Sequence, residues 1–112
     1  MVAWWGTVVE CYSAFARLHR EGVLNSHSEE DVRRLLTLLS ESWTEIEPGM
    51  DIRDIAGRLL LMHPLRAADS LQLAAALLWA NKSPRGHHFV CLDGRLREAA
   101  RKEGFKLLPT DV

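Results

Sequence analysis

The stretch His63-Pro64-Leu65-Arg66-Ala67-Ala68-Asp69-Ser70-Leu71-Gln72-Leu73-Ala74-Ala75-Ala76-Leu77-Leu78-Trp79 decides how this chain must fold. Past Asp69, apolar side chains surround the whole circumference of a helix. A helix apolar on every side belongs in a core. It is too short to cross a bilayer, which takes about 20 apolar residues. Arg66, Asp69 and Ser70, spaced i, i+3 and i+4, form a polar stripe at its N-terminal end. A carboxylate at the mouth of a buried helix needs a partner, because an unpaired buried charge is costly. Taken alone, Asp69 reads equally well as a cap or dipole charge at the helix start or as a metal ligand. The second reading requires other acids to arrive at the same place.

Around this helix, the composition is that of one globular domain spanning residues 1–112, with 47% hydrophobic and 26% charged residues. The net charge of −1 supplies no overall basic field for nucleic acid, although a local patch suffices for binding. Cys11 and Cys91 lie in apolar surroundings without zinc spacing, so they read as reduced core thiols. The N-terminus lacks the basic start and cleavage site of a signal peptide, and no apolar run is long enough for a membrane span. The expectation is a soluble, cytoplasmic domain with no membrane partner.

Outward from residues 63–79, strands and helices alternate. Residues 2–5 carry Val and Trp in strand fashion, and a helix follows from Thr7 or Val8 to Glu21, ended by Gly22. Ser28 ahead of Glu29, Glu30 and Asp31 marks a second helix start, running to about Ser42. Residues 43–47 suit a short edge strand closed by Pro48-Gly49, and residues 51–62 resume helical periodicity. Phe89-Val90-Cys91-Leu92 is a continuous apolar tetrad between turn signals, as in an interior parallel strand. Residues 96–103 form a helix ended by Gly104, and residues 105–108 a last strand. The alternation predicts an α/β fold: three layers, α/β/α, around a short parallel sheet.

In open parallel sheets, sites form beyond the carboxyl ends of the strands. Asp93 directly follows the 89–92 strand, Glu10 sits early in the helix after the first strand, and Asp69 opens the central helix. Singly, Glu10 reads as a solvated helix-start acid and Asp93 as an ordinary turn residue. Jointly, three carboxylates without His or Cys partners suit the hard cations Mg²⁺ or Mn²⁺.

Residues 65–77 resemble the signature helix of PIN-domain nucleases, in particular VapC-type toxins of toxin–antitoxin pairs. Residues 89–100 with Gly104-Phe105 are similar to that family's late strand, acid and helix, and Val8-Val9-Glu10-Cys11-Tyr12-Ser13-Ala14 to its early acid-bearing helix. The resemblance implies a metal-dependent endoribonuclease in which Glu10, Asp69 and Asp93 are catalytic and hold Mg²⁺ or Mn²⁺. Water would attack an RNA phosphodiester, leaving 5′-phosphate and 3′-hydroxyl. Arg66 and Arg95 flank two of the acids and would meet the substrate's phosphates, or else serve as surface charges. The implied partners are an RNA substrate and an antitoxin protein that inserts a segment into the acidic groove.

The family usually opens with a strand ending in Asp followed by Thr or Ser, and Met1 falls where its second strand would begin. The expectation is therefore a PIN-like domain lacking its N-terminal strand and first acid, with impaired activity. Loss of a central strand would expose backbone and apolar faces, which predicts a homodimer. The competing reading is a non-catalytic PIN-like module for protein interaction or dimerisation.

Overall fold

A computed structural model describes residues 1–111. It divides into two compact units, residues 1–47 and the chain from Pro48 onward. The described residues form five helices and four short strands in mixed order, an α/β chain.

In the first unit, strand β1 (Val2–Trp4) pairs in parallel with β2 (Thr44–Ile46), Val2 opposite Thr44 and Trp4 opposite Ile46. Helices α1 (Thr7–Arg20) and α2 (Ser26–Ser42) form the crossover that a parallel pair requires. Gly22, at φ +79°, takes the left-handed position just beyond α1, where only glycine is free of Cβ strain. Helix α2 starts before Ser28, because the Asn25 side chain accepts the Ser28 backbone N–H at 2.8 Å and caps the helix there. The two helices are joined by His19–Glu29 at 2.7 Å and by the Arg33 guanidinium 4.5 Å over the Tyr12 ring. Only Leu36 is fully buried among the described residues of this unit, while Leu35, Leu38 and Leu39 face solvent.

The second unit is built on helices α3 (Met50–Met62) and α4 (Ala67–Trp79), which pack against each other. Ile52, Ile55, Ala56 and Leu59 of α3 are buried, as are Leu73, Ala74, Ala75 and Leu77 of α4. His63 is the extended C-cap of α3, as a residue before proline must be. Strand β3 (His88–Val90) pairs in parallel with β4 (Lys106–Leu108) across helix α5 (Gly94–Glu103). Phe89 and Phe105 meet with ring centroids 5.7 Å apart, and Leu96, Ala99 and Ala100 of α5 close the core.

Two features depart from expectation. The four strands do not share one sheet; they form two separate two-stranded parallel sheets, each pairing the strands that flank a helical crossover. The apolar tetrad 89–92 is not interior on both faces: Phe89 is buried, but Val90 is 67% and Leu92 72% exposed. The physical reason is the alternation of side chains along extended backbone: Phe89 points into the core of this unit, and Val90 and Leu92 point to the opposite face. No helix among the described residues is long and apolar enough to cross a membrane.

Candidate functional site

Asp69 and Asp93, 24 positions apart in sequence, are brought to one place in the second unit by the junction of α4 and α5. Arg66 marks the convergence. Its Nε lies 3.6 Å from Asp69 Oδ2 and its Nη2 lies 3.9 Å from Asp93 Oδ2. Asp69 is in the first turn of α4, but the helix has no side-chain cap, so the capping role open to this residue is not used. Its carboxylate still gains from the positive end of the helix. Ser70 turns inward and donates its hydroxyl to the Ala67 carbonyl at 2.7 Å, which satisfies it and leaves it no role in the stripe.

Asp93 carries two functions on its two oxygens. Oδ1 accepts the Leu96 backbone N–H at 2.9 Å and caps α5. Oδ2 faces Arg66. Asp93 is thus the N-cap of a helix that starts at Gly94 rather than an ordinary turn residue, and its second carboxylate oxygen faces a cation. The pair is unequally exposed, with the Asp69 side chain at 18% and Asp93 at 43% of their free area.

Cys91 lies beside both acids. Burial pushes its thiol up from the ordinary value, and the Asp93 and Asp69 carboxylates push the same way. It therefore stays a protonated thiol at neutral pH and adds no negative charge to the pair.

Arg97 fixes this corner and Glu103 fixes the opposite end of α5, and both escaped the sequence reading. Arg97 donates from Nη1 to the Cys91 carbonyl and from Nη2 to the Pro109 carbonyl, each at 2.8 Å. It ties the strand end that carries Asp93 to the segment after β4. The one available signal was its place four residues after the cap. Glu103, at the far end of α5, accepts from the His63 ring (Nε2 to Oε2, 2.7 Å) and from Arg58 at 3.1 Å. No sequence pattern connects those three.

Of the remaining predicted residues, Arg95 is exposed in the first turn of α5 and enters no ion pair among the described residues. Glu10 lies in the first turn of α1, in the other unit, exposed. His87 of the His87-His88 pair stacks edge-on to Trp79 at 4.8 Å, a packing role. Among the described residues, no group of three or more His, Cys, Asp or Glu side chains is close enough to enclose a metal ion.

On the flank of α5, an open cleft of about 620 Å³ runs from Gly94, next to Asp93, along Arg97 and Arg101 to Lys106 and Leu108 of β4. Glu98, which pairs with Arg101 at 2.6 Å, is the acid in its lining, so the cleft is net basic. Comparison of the chain with protein-family models, curated proteins and solved structures finds no match.

Proposed function

We propose that this chain is a PIN-type, metal-dependent endoribonuclease domain of three-layer α/β/α architecture, the toxin of a toxin–antitoxin pair, acting in the cytoplasm. The observation that carries the reading is the meeting of Asp69 and Asp93 around one cationic side chain. Two carboxylates with water completing the shell are the donor set that Mg²⁺ and Mn²⁺ take, and the Arg66 guanidinium already stands in for a cation between them. Glu10 keeps its place as the third acid on the resemblance alone.

A divalent cation held by Asp69 and Asp93 would supply charge neutralisation at the phosphate and would acidify a water. In hydrolysis the water oxygen forms a bond to phosphorus, the bond from phosphorus to the 3′ oxygen breaks, and that oxygen leaves with a proton. The chain's own residues hold and orient. Asp69 and Asp93 supply anionic oxygens, Arg97 fixes the loop bearing Asp93, and the cleft along α5 offers cations to a strand's phosphates.

The test is cleavage of single-stranded RNA by the purified chain with Mn²⁺, beside Asp69→Asn and Asp93→Asn. Cleavage lost in both variants supports the reading, and a folded, inactive wild type overturns it.

A second reading has its own observation. Val90 and Leu92 expose apolar surface at β3, which pairs with β4 alone among the described strands, as an interaction module would. On that reading the partner is an antitoxin-like protein or a second copy forming a homodimer. Solution mass from light scattering distinguishes a homodimer from a monomer.

A further inference from the structure

Arg66 is held loosely for a residue with two anionic neighbours. Its contacts at 3.6 and 3.9 Å are longer than N–H···O hydrogen bonds, so attraction through space holds it rather than directed bonding. Its side chain is 79% exposed, and exposed pairs of this kind contribute little. The backbone, by contrast, is fixed: Arg66 is the N-cap position of α4, in extended conformation, and its carbonyl accepts the Ser70 N–H at 3.0 Å. A fixed base therefore carries an exposed cationic head whose contacts with both acids exceed hydrogen-bond length. That head occupies the space faced by Oδ2 of Asp69 and Oδ2 of Asp93. A cation that takes these two oxygens must expel the guanidinium.

Expulsion does not send it far, because the side chain is tethered at the helix start. A guanidinium presents five N–H donors in a planar fork that matches a phosphate. Once released from the carboxylates, the nearest strong acceptor is a phosphate brought to the same two acids. We propose that Arg66 is an exchanging counter-ion: it balances Asp69 and Asp93 while they are free of metal, and passes to the RNA phosphodiester when a divalent cation replaces it. The proposal rests on the metal-dependent reading of the same two acids. It makes Arg66 a positioning residue through which metal binding and phosphate binding reinforce each other, and by linkage the reinforcement is equal in both directions.

The experiment uses the whole chain and two readouts. Mn²⁺ affinity is measured by isothermal titration calorimetry for wild type, Arg66→Gln and Asp69→Asn. Affinity for a fluorescent, phosphorothioate-substituted single-stranded RNA is measured by anisotropy with and without Mn²⁺. Arg66→Gln is expected to bind Mn²⁺ about five- to tenfold more tightly than wild type, as for a typical coupling. It is also expected to lose the gain in RNA affinity that Mn²⁺ gives the wild type. Loss of a neighbouring positive charge would by itself tighten Mn²⁺ binding, so the exchange is read from the two readouts together: tighter metal binding with the metal-linked gain in RNA affinity lost. Unchanged or weaker Mn²⁺ binding in Arg66→Gln, with binding in wild type abolished by Asp69→Asn, overturns the exchange and leaves the metal site standing. Persistence of the RNA gain in Arg66→Gln also overturns it. Absence of Mn²⁺ binding in wild type and Arg66→Gln alike overturns the exchange together with the metal-dependent reading.

Discussion

His63 and Glu103 join the end of α3 to the end of α5: the imidazole Nε2 lies 2.7 Å from Glu103 Oε2, and both side chains are nearly out of solvent, at 5% and 11% exposure. Burial alone raises the Glu103 carboxyl, and it is the largest single influence. The hydrogen bonds and charges of His63 and Arg58 together outweigh it and hold the group below the usual value of about 4.5. A carboxyl whose folded value is depressed stabilises the native state above its unfolded value, and that stability is lost as pH falls through the folded value. Glu103→Gln is expected to cost about 1–3 kcal/mol at pH 7, as for hydrogen bonds to a charged group. The deficit against wild type should begin to shrink below about pH 4.5, where the carboxyl of the unfolded chain takes up its proton, and should vanish as pH falls through the lower native value. Urea unfolding of both proteins from pH 7 to pH 3 checks this, and a deficit that does not change with pH refutes it.

Two glycines of this unit should respond to alanine with opposite signs. Gly104 ends α5 at φ +112°, and an added Cβ would stand 3.0 Å from Pro84 Cγ. Left-handed backbone costs an L-residue about 1–2 kcal/mol, and the proline ring must also give way. Gly57, inside α3, has nothing within 4 Å of the added Cβ. There alanine removes backbone freedom from the unfolded chain and should stabilise by roughly 0.5–1 kcal/mol. Thermal midpoints should move down for Gly104→Ala and up for Gly57→Ala.

Arg97→Ala tests whether the Asp93 corner depends on its clamp. The guanidinium satisfies the Cys91 and Pro109 carbonyls at once, and removing it should cost about 1–3 kcal/mol, with more exposure at Cys91. Arg97→Lys cannot span both carbonyls with one ammonium, so it should recover less than half of the loss. Denaturant midpoints, with the rate of Cys91 alkylation as a local probe, read the two effects separately.

The helices were legible where the pattern was one-dimensional. Apart from Gln72, residues 71–79 are apolar on all sides, which calls for a core helix, and α4 buries Leu73, Ala74, Ala75 and Leu77, while Trp79 at its end stays 45% exposed. Boundaries failed where several residues competed for one job. Ser28 looked like the cap of α2, but Asn25 reaches its N–H first. Strand positions were readable from composition, yet which strands pair was not, because pairing depends on neighbours distant in sequence. The apolar run 89–92 has the composition of an interior strand, and Val90 nonetheless faces solvent. At the candidate site, Asp93 could be placed because it follows a strand, and Asp69 because it opens a helix. Arg66 as the bridge between them and Arg97 as the clamp required three-dimensional contacts. The His63–Glu103 bond, 40 residues apart, required them as well.

Asp93 offers a clean separation of scaffold from chemistry, because its two oxygens do different work. Oδ1 caps α5 through the Leu96 N–H, a role that asparagine fills about as well as aspartate. Oδ2 carries the charge that faces Arg66. Asp93→Asn should therefore leave stability within a few tenths of a kcal/mol of wild type, whereas Asp93→Ala should lose about 1 kcal/mol with the cap. Removal of the anionic oxygen is common to both, so RNA cleavage should fall to background in each, independent of stability. Denaturant unfolding and cleavage assays on the two variants decide the matter. If Asp93→Asn cleaves RNA at the wild-type rate, the carboxylate acts only as a helix cap and the proposed metal ligation by Asp93 is wrong. If it is stable and inactive while Asp93→Ala is unstable and inactive, the charge is the functional element and the cap is its scaffold.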